Sequence, residues 1–367
     1  MSQGNIVAAG STSVLPFQLN EARKPVFRAL VEARNRYGGA TTALVDGDER
    51  VVSYDEIVQA SFALGNALRK GTKPHESVGV MLPSGAGAVI AFFAISAFGR
   101  VPTMINFTAG PASIRSALRT AQVKRVVTAH RFVELGKFED LIAELKSSVE
   151  IVYLEDVRAK LGLFDKGAAA IGQYLPRLIA SRPSPRSPAV ILFTSGTEGE
   201  PKGVALSHLN LLANVQQVRS HIELFRTDVL FNPLPTFHCF GLTVGALMPL
   251  FLGIKVVFHP SPLQPREIAH RIRATGATIL LSTDTFISQY ARAGQQGDLN
   301  SLRIAVCGAE RLRDETRALL RAKYAIELLE GYGVTETAPV IAANQVANNR
   351  PGTVGRLLQA IEARLEP

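Results

Sequence analysis

Short apolar runs alternate with helix-periodic segments along most of this chain, and that alternation limits its possible folds more than any other feature. Residues 77–82, 125–128, 149–154, 229–234, 255–258, 278–282 and 303–307 are brief, β-branched and apolar, the pattern of buried strands. Segments 25–37, 114–121, 138–145, 242–252, 265–275 and 313–323 have helical spacing or composition. A strand–helix–strand order needs crossovers, so the expected fold class is α/β, with mostly parallel sheets flanked by helices. Residues 51–57 read as a strand turning into a helix, with Ser53 as N-cap and Glu56 completing a capping box. The 367 residues exceed what one compact core usually holds, so two α/β subdomains are expected. The expected division is a loosely ordered N-terminus over 1–20, a first α/β region over 21–180 and a Pro/Ser linker over 181–188. A second α/β region follows over 189–350, and residues 351–367 read as two strands of a further unit just beginning.

Composition narrows the function classes. Hydrophobic residues make up 47% and charged residues 19%, which suits a globular protein with a large core. Two cysteines, Cys239 and Cys307, make no disulfide framework, and a reduced cytoplasmic setting is expected. Residues 1–18 lack the basic and apolar regions of a signal peptide. The most apolar stretch, 88–105, is broken by Gly99, Arg100 and Pro102, so it reads as helix, turn and strand and not as a membrane span. The net charge of +9 points to anionic partners: ATP, CoA, an acidic carrier protein or an anionic membrane face. No recognition-helix cluster or RNA-binding aromatic motif is present, so nucleic acid is not an expected partner.

The residues with the clearest chemistry follow the apolar run 189–193. Residues 193–203 read Phe-Thr-Ser-Gly-Thr-Glu-Gly-Glu-Pro-Lys-Gly. Glycines let a backbone approach a polyphosphate, hydroxyls and N–H groups donate to its oxygens, and the lysine adds a mobile charge. The spacing matches neither a P-loop nor a dinucleotide fingerprint. Two further motifs follow in order: Phe-His-Cys-Phe-Gly-Leu-Thr-Val-Gly over 237–245 and Leu-Glu-Gly-Tyr-Gly-Val-Thr-Glu over 329–336.

Together these motifs resemble those of the adenylate-forming, or AMP-binding, superfamily, from about Phe27 to the last residue. With Glu198 in place of the usual second threonine, the match is most like the acyl-ACP synthetase half of bifunctional 2-acylglycerophosphoethanolamine acyltransferase/acyl-ACP synthetases. The resemblance implies the large N-terminal domain of that fold. It also implies ATP and Mg²⁺ as cofactors, a fatty acid as substrate and acyl carrier protein or CoA as acceptor. Peripheral association with the inner membrane, at its cytoplasmic face, is a further implication. By residue, it implies that Thr194, Ser195, Gly196, Thr197, Gly199 and Lys202 hold the ATP phosphates. Gly308, Ala309 and Glu310 lie beside the nucleotide or acyl group, and Tyr332 between Gly331 and Gly333 stacks on adenine. Thr335 contacts the α-phosphate, Glu336 holds Mg²⁺, and His238 lies near the carboxylate being activated. Residues 242–252 read either as a core helix or as one wall of an acyl tunnel.

Some expected pieces are missing from these residues. There is no Tyr-x-Thr-Gly-Asp, no small C-terminal domain with its catalytic lysine, and little of the β-barrel subdomain. No histidine of the seven has aspartate five positions on, the pair an acyltransferase half would need. The chain therefore reads as a truncated large domain, nearly inactive alone. A non-catalytic nucleotide sensor and an adenylation domain for another acid are the alternatives.

Overall fold

The computed structural model describes residues 15–195 and 200–364. Their strands form two sheets. The six-stranded sheet has the order β6-β5-β3-β4-β7-β8, from Glu150–Tyr153 (β6), Arg125–Thr128 (β5), Ser77–Val80 (β3), Val101–Met104 (β4), Pro188–Ser195 (β7) and Pro201–Ser207 (β8). The nine-stranded sheet has the order β15-β14-β13-β12-β11-β9-β10-β1-β2. Its members are Arg356–Leu357 (β15), Val340–Ala343 (β14), Leu328–Gly333 (β13), Ile304–Cys307 (β12) and Ile279–Ser282 (β11). Val229–Asn232 (β9), Lys255–Phe258 (β10), Thr42–Val45 (β1) and Val51–Ser53 (β2) complete it. Central pairs are parallel, and antiparallel pairing is confined to β1/β2, β7/β8, β13/β14 and β14/β15 at the margins. Strands β4, β11 and β12 are buried at every position, as parallel strands covered on both faces must be. The α/β reading therefore holds.

Local signals account for much of this. Ser53 accepts from the Glu56 N–H at 3.2 Å, and Glu56 accepts from the Ser53 N–H at 2.8 Å, so the expected capping box starts helix Tyr54–Leu68. The apolar stretch folds as expected into helix Ala86–Ala97, a turn at Gly99 (φ +70°) and β4. No helix among the described residues is long and apolar enough to cross a membrane.

The division into regions differs from the sequence reading. β1 and β2 join the nine-stranded sheet, whereas β7 and β8 join the six-stranded one, so the chain does not change sheets at 181–188. Instead Ser181 donates to Ala97 at 2.8 Å and β7 pairs in parallel with β4, because long-range strand pairing and not local composition decides sheet membership. Residues 15–18 are described and helix Leu19–Ala22 follows, inside the stretch expected to be loose; residues 1–14 lie outside the described residues. At the far end Arg356–Leu357 is the only strand among the described residues, which stop at 364, and it extends the nine-stranded sheet. Positive φ at Gly352, Gly355 and Ala360 interrupts the extended backbone expected there.

Candidate active site

Each expected site segment leaves the carboxyl end of a strand. The Gly/Thr loop follows β7, the His238 segment follows β9, Gly308 follows β12, and Tyr332 to Glu336 close β13 and the turn after it. Carboxyl ends of parallel strands are where open α/β sheets form ligand crevices. Here the two sheets contribute to the same crevice.

One cavity of about 410 Å³ is lined from both sides by Asn106, Phe193, Thr194, Pro201, His238 and Thr335, among others. It thus gathers Thr194, His238 and Thr335, which are far apart in sequence. In the β7–β8 ladder Thr194 pairs with Lys202, whose side chain is exposed. The 3-10 turn Thr335–Thr337 packs beside β8. Glu336 on that turn is exposed and makes no hydrogen bond or ion pair with another described residue. Gly196, Thr197 and Gly199 lie outside the described residues, and Ser195 is described only as the end of β7. Among the described residues no three His, Cys, Asp or Glu side chains cluster as a metal cage. The exposed Glu336 carboxylate, next to cavity-lining Thr335, suits Mg²⁺, which takes one or two carboxylates and fills its shell with phosphate and water oxygens.

The His238 segment is held rigidly. Buried Asn232 donates to the Gly241 carbonyl at 3.1 Å and accepts from the Leu234 N–H at 3.1 Å. Ser84, from the loop after β3 of the six-stranded sheet, donates to the Leu234 carbonyl at 3.0 Å and accepts from the Thr236 N–H at 2.9 Å. Residues 242–252 are helical as expected, but Phe240–Leu247 is a π-helix and only Met248–Leu252 is α-helical. Glycines let this segment press on its supports: a Cβ on Gly241 would lie 2.3 Å from the Pro235 carbonyl, and one on Gly245 would lie 2.3 Å from Asn232. The His238 side chain reaches solvent, yet the surrounding protein desolvates its charged form and lowers its pKa below the usual value. The imidazole is therefore neutral near pH 7. Cys239 beside it is buried, contacts the Thr243 hydroxyl, and burial pushes its thiol up to about 12. It is a packing residue and no nucleophile at neutral pH.

A second cavity, almost entirely apolar, adjoins these segments. Phe240, Val244 and Met248 line one side, and Gly308, Ala309, Gly331, Tyr332 and Gly333 line another. The Tyr332 ring is 51% exposed, so it can present a face to a planar base. Ala309 takes φ +66°, turning the chain sharply after β12. Glu310 acts as a structural support. It accepts from the Thr285 N–H at 3.0 Å and hydroxyl at 2.8 Å, fixing the start of the neighbouring helix.

Sequence reasoning missed several supports. Glu330 is buried, pairs with Arg317 at 2.8 Å and accepts from the Gly352 N–H at 2.9 Å, which locks β13 just before the Gly-Tyr-Gly turn. Glu330 stands inside the 329–336 motif, but the sequence does not name its partners Arg317 and Gly352. Ser84 and Asn232 carry no such signal, because their partners come from distant segments.

The family comparison agrees with this geometry. Residues 30–366 match the AMP-binding enzyme family, and the chain belongs to it. The chain is 26% identical over 346 residues to 4-coumarate--CoA ligase 1 of Solanum tuberosum, covering 88% of this chain and 60% of that protein. It is 26% identical over 333 residues to acyl-CoA ligase SID4 of Ajellomyces capsulatus, covering 84% of this chain and 55% of that protein. It therefore spans about 60% or less of the length of these relatives. Its fold is similar to that of the anthranilate CoA ligase AuaEII in complex with anthranoyl-AMP (TM-score 0.78, 21% identity, 95% of this chain and 66% of that one). It is likewise similar to ATP-bound MatB from Rhodopseudomonas palustris (TM-score 0.78, 24% identity, 92% of this chain and 65% of that one). The architecture is that of the N-terminal domain of adenylate-forming enzymes.

Proposed function

We propose that these residues form the acid- and nucleotide-binding part of an ATP-dependent fatty acid–thiol ligase, of the acyl-ACP synthetase type. The observation that carries the reading is the meeting of Thr194, His238 and Thr335 at one cavity, beside an apolar cavity edged by Gly308, Gly331 and Tyr332. In this reading the fatty carboxylate attacks the α-phosphate of ATP, releasing pyrophosphate and forming acyl-adenylate. A thiol of acyl carrier protein or CoA then attacks the acyl carbon and displaces AMP. Thr194 and Lys202 hold phosphate oxygens, and Lys202 offsets their charge. Neutral His238 hydrogen-bonds to the carboxylate or an α-phosphate oxygen without giving up a proton. Bound through Glu336, Mg²⁺ would neutralise phosphate charge. Tyr332 covers the adenine, and the apolar cavity takes the acyl chain. The setting is cytoplasmic, at the membrane face where fatty acids and phospholipids are handled, and the positive net charge favours that surface.

Calorimetric titration tests this. Fatty acyl sulfamoyl-adenosines should bind more tightly than aminoacyl or aroyl analogues. Lys202→Ala should weaken ATP roughly tenfold or more while leaving AMP unchanged, since one charge-assisted contact to phosphate is lost. Tighter binding of an aroyl or aminoacyl analogue would replace the fatty acid assignment with that acid. Equal loss for ATP and AMP would remove Lys202 from the β- and γ-phosphates.

A further inference from the structure

The apolar cavity ends on a thin wall with a second chamber behind it. Ile222 and Leu224 line the apolar cavity, and the same two side chains line a separate cavity of about 190 Å³. That rear chamber is bounded by Leu15, Tyr37, Arg219, Phe225, Arg226 and Leu252, with Leu15 and Phe225 48% and 42% exposed. Its position is therefore between the acyl pocket and solvent.

The wall stands on an irregular segment after helix His208–Arg219, yet it is pinned on both sides. Before it, His221 donates from Nε2 to the Ala343 carbonyl at 2.7 Å, and its own carbonyl accepts from Gln345 at 2.8 Å. After Ile222, the Glu223 carbonyl accepts from Arg303 at 3.1 Å, and Asp228 accepts from the Phe225 N–H at 2.7 Å. Arg303 also pairs with buried Asp228 at 2.6 Å and lies 4.8 Å over the Phe225 ring. The backbone is thus fixed, while Ile222 and Leu224 are bare aliphatic side chains with no hydrogen bond to hold them. Rotamer changes can move them where the backbone cannot move.

We propose that Ile222 and Leu224 are the chain-length partition of the acyl site. Short tails stop against them, and longer unbranched tails pass between them into the rear chamber and toward its solvent-facing rim. This rests on the fatty acid reading above. Arg219 and Arg226 at the rim keep a polar end on the passage, so it vents to water and does not close as a dead end. A rigid aromatic acid has no use for such a passage, whereas an alkyl chain can thread it.

Titration of the chain with acyl sulfamoyl-adenosines of increasing length tests the partition. Affinity should climb roughly fourfold per buried methylene, then climb less steeply once the tail meets the wall. Leu224→Ala and Ile222→Ala should move that break to longer chains, and Ile222→Phe should move it to shorter ones. Circular dichroism and urea unfolding of each variant control for misfolding, and the break is read from the slope of affinity against length within each variant. A break that stays at the same length in all folded variants overturns the partition while leaving the fatty acid reading intact. Affinity that never depends on length, with short analogues still bound, overturns the fatty acid reading and the partition with it. Absence of binding at every length overturns the acid-site assignment itself.

Discussion

Gly308, Gly331 and Gly333 line the same cavity, but an added methyl group would separate their roles. At Gly333 a Cβ would sit 2.1 Å from the Pro339 carbonyl, a backbone atom with little freedom to retreat. At Gly331 its nearest neighbour would be 3.6 Å away, an ordinary contact, and at Gly308 the Phe240 ring would be 3.4 Å away. Gly333 is therefore required by packing, whereas Gly308 and Gly331 keep cavity space open. Gly331→Ala should leave unfolding free energy within about 0.5 kcal/mol of the original while weakening an acyl-adenylate analogue roughly tenfold. Gly333→Ala should cost about 1–3 kcal/mol in stability. Urea unfolding and calorimetry on both variants would check the contrast, and equal effects of the two changes would refute it. Gly331 and Gly333 stand out in sequence through the 329–336 motif, and Gly308 enters only through the resemblance. Their different reasons were not legible, because each depends on what distant backbone lies opposite.

Helices show the same split between local and distant causes. Ser53 and Glu56 announce helix Tyr54–Leu68 within four residues, so its start could be read directly. Ser207 and Asn210 make a second capping box at helix His208–Arg219, by the same local chemistry. The π-helix Phe240–Leu247 could not be read, since its form depends on contact with Pro235 and Asn232. Helix Tyr54–Leu68 also packs closely on helix Ala86–Ala97, and Gly65 sits at the contact. A Cβ there would lie 2.5 Å from the Ala94 carbonyl and 2.6 Å from the Phe98 ring. Gly65→Ala should therefore destabilise the fold by about 1–3 kcal/mol, despite alanine's better helix propensity. Ligand affinity of the folded variant should be unchanged, because this helix pair is outside the site. A gain in stability by urea unfolding would show that the helices separate at no cost.

At the scale of the whole molecule, His208 ties the chain's early part to its middle. Its Nδ1 accepts from the Val26 N–H at 3.2 Å, and burial, aided by nearby His75, lowers its pKa to about 4. The unfolded chain has the ordinary histidine value near 6.5, so between about 6.5 and 4 it takes up a proton that the folded chain refuses. Stability from this residue is complete above that window and falls as pH falls through it, by at most about 3 kcal/mol. Asp284 is raised by desolvation but held low overall by hydrogen bonds, first from the Arg313 N–H and then from Thr316, with the Arg313 side chain adding to them, so it loses its contribution at lower pH still. His208→Gln should flatten the pH dependence of urea unfolding between pH 7 and 4.5; an unchanged slope would exclude His208 as its source. Neither the depressed pKa nor the Val26 contact is visible in sequence, because 182 residues separate the partners. By itself the sequence determined the α/β class, most strands, the capping box and the order of the site motifs, since apolar period, turn chemistry and small-residue loops act over a few neighbours. Tertiary structure alone decided which sheet each strand joined, the clamp of Ser84 and Asn232 on the His238 segment, and the wall of Ile222 and Leu224. Those features depend on long-range pairing and on space between elements, which no local pattern encodes.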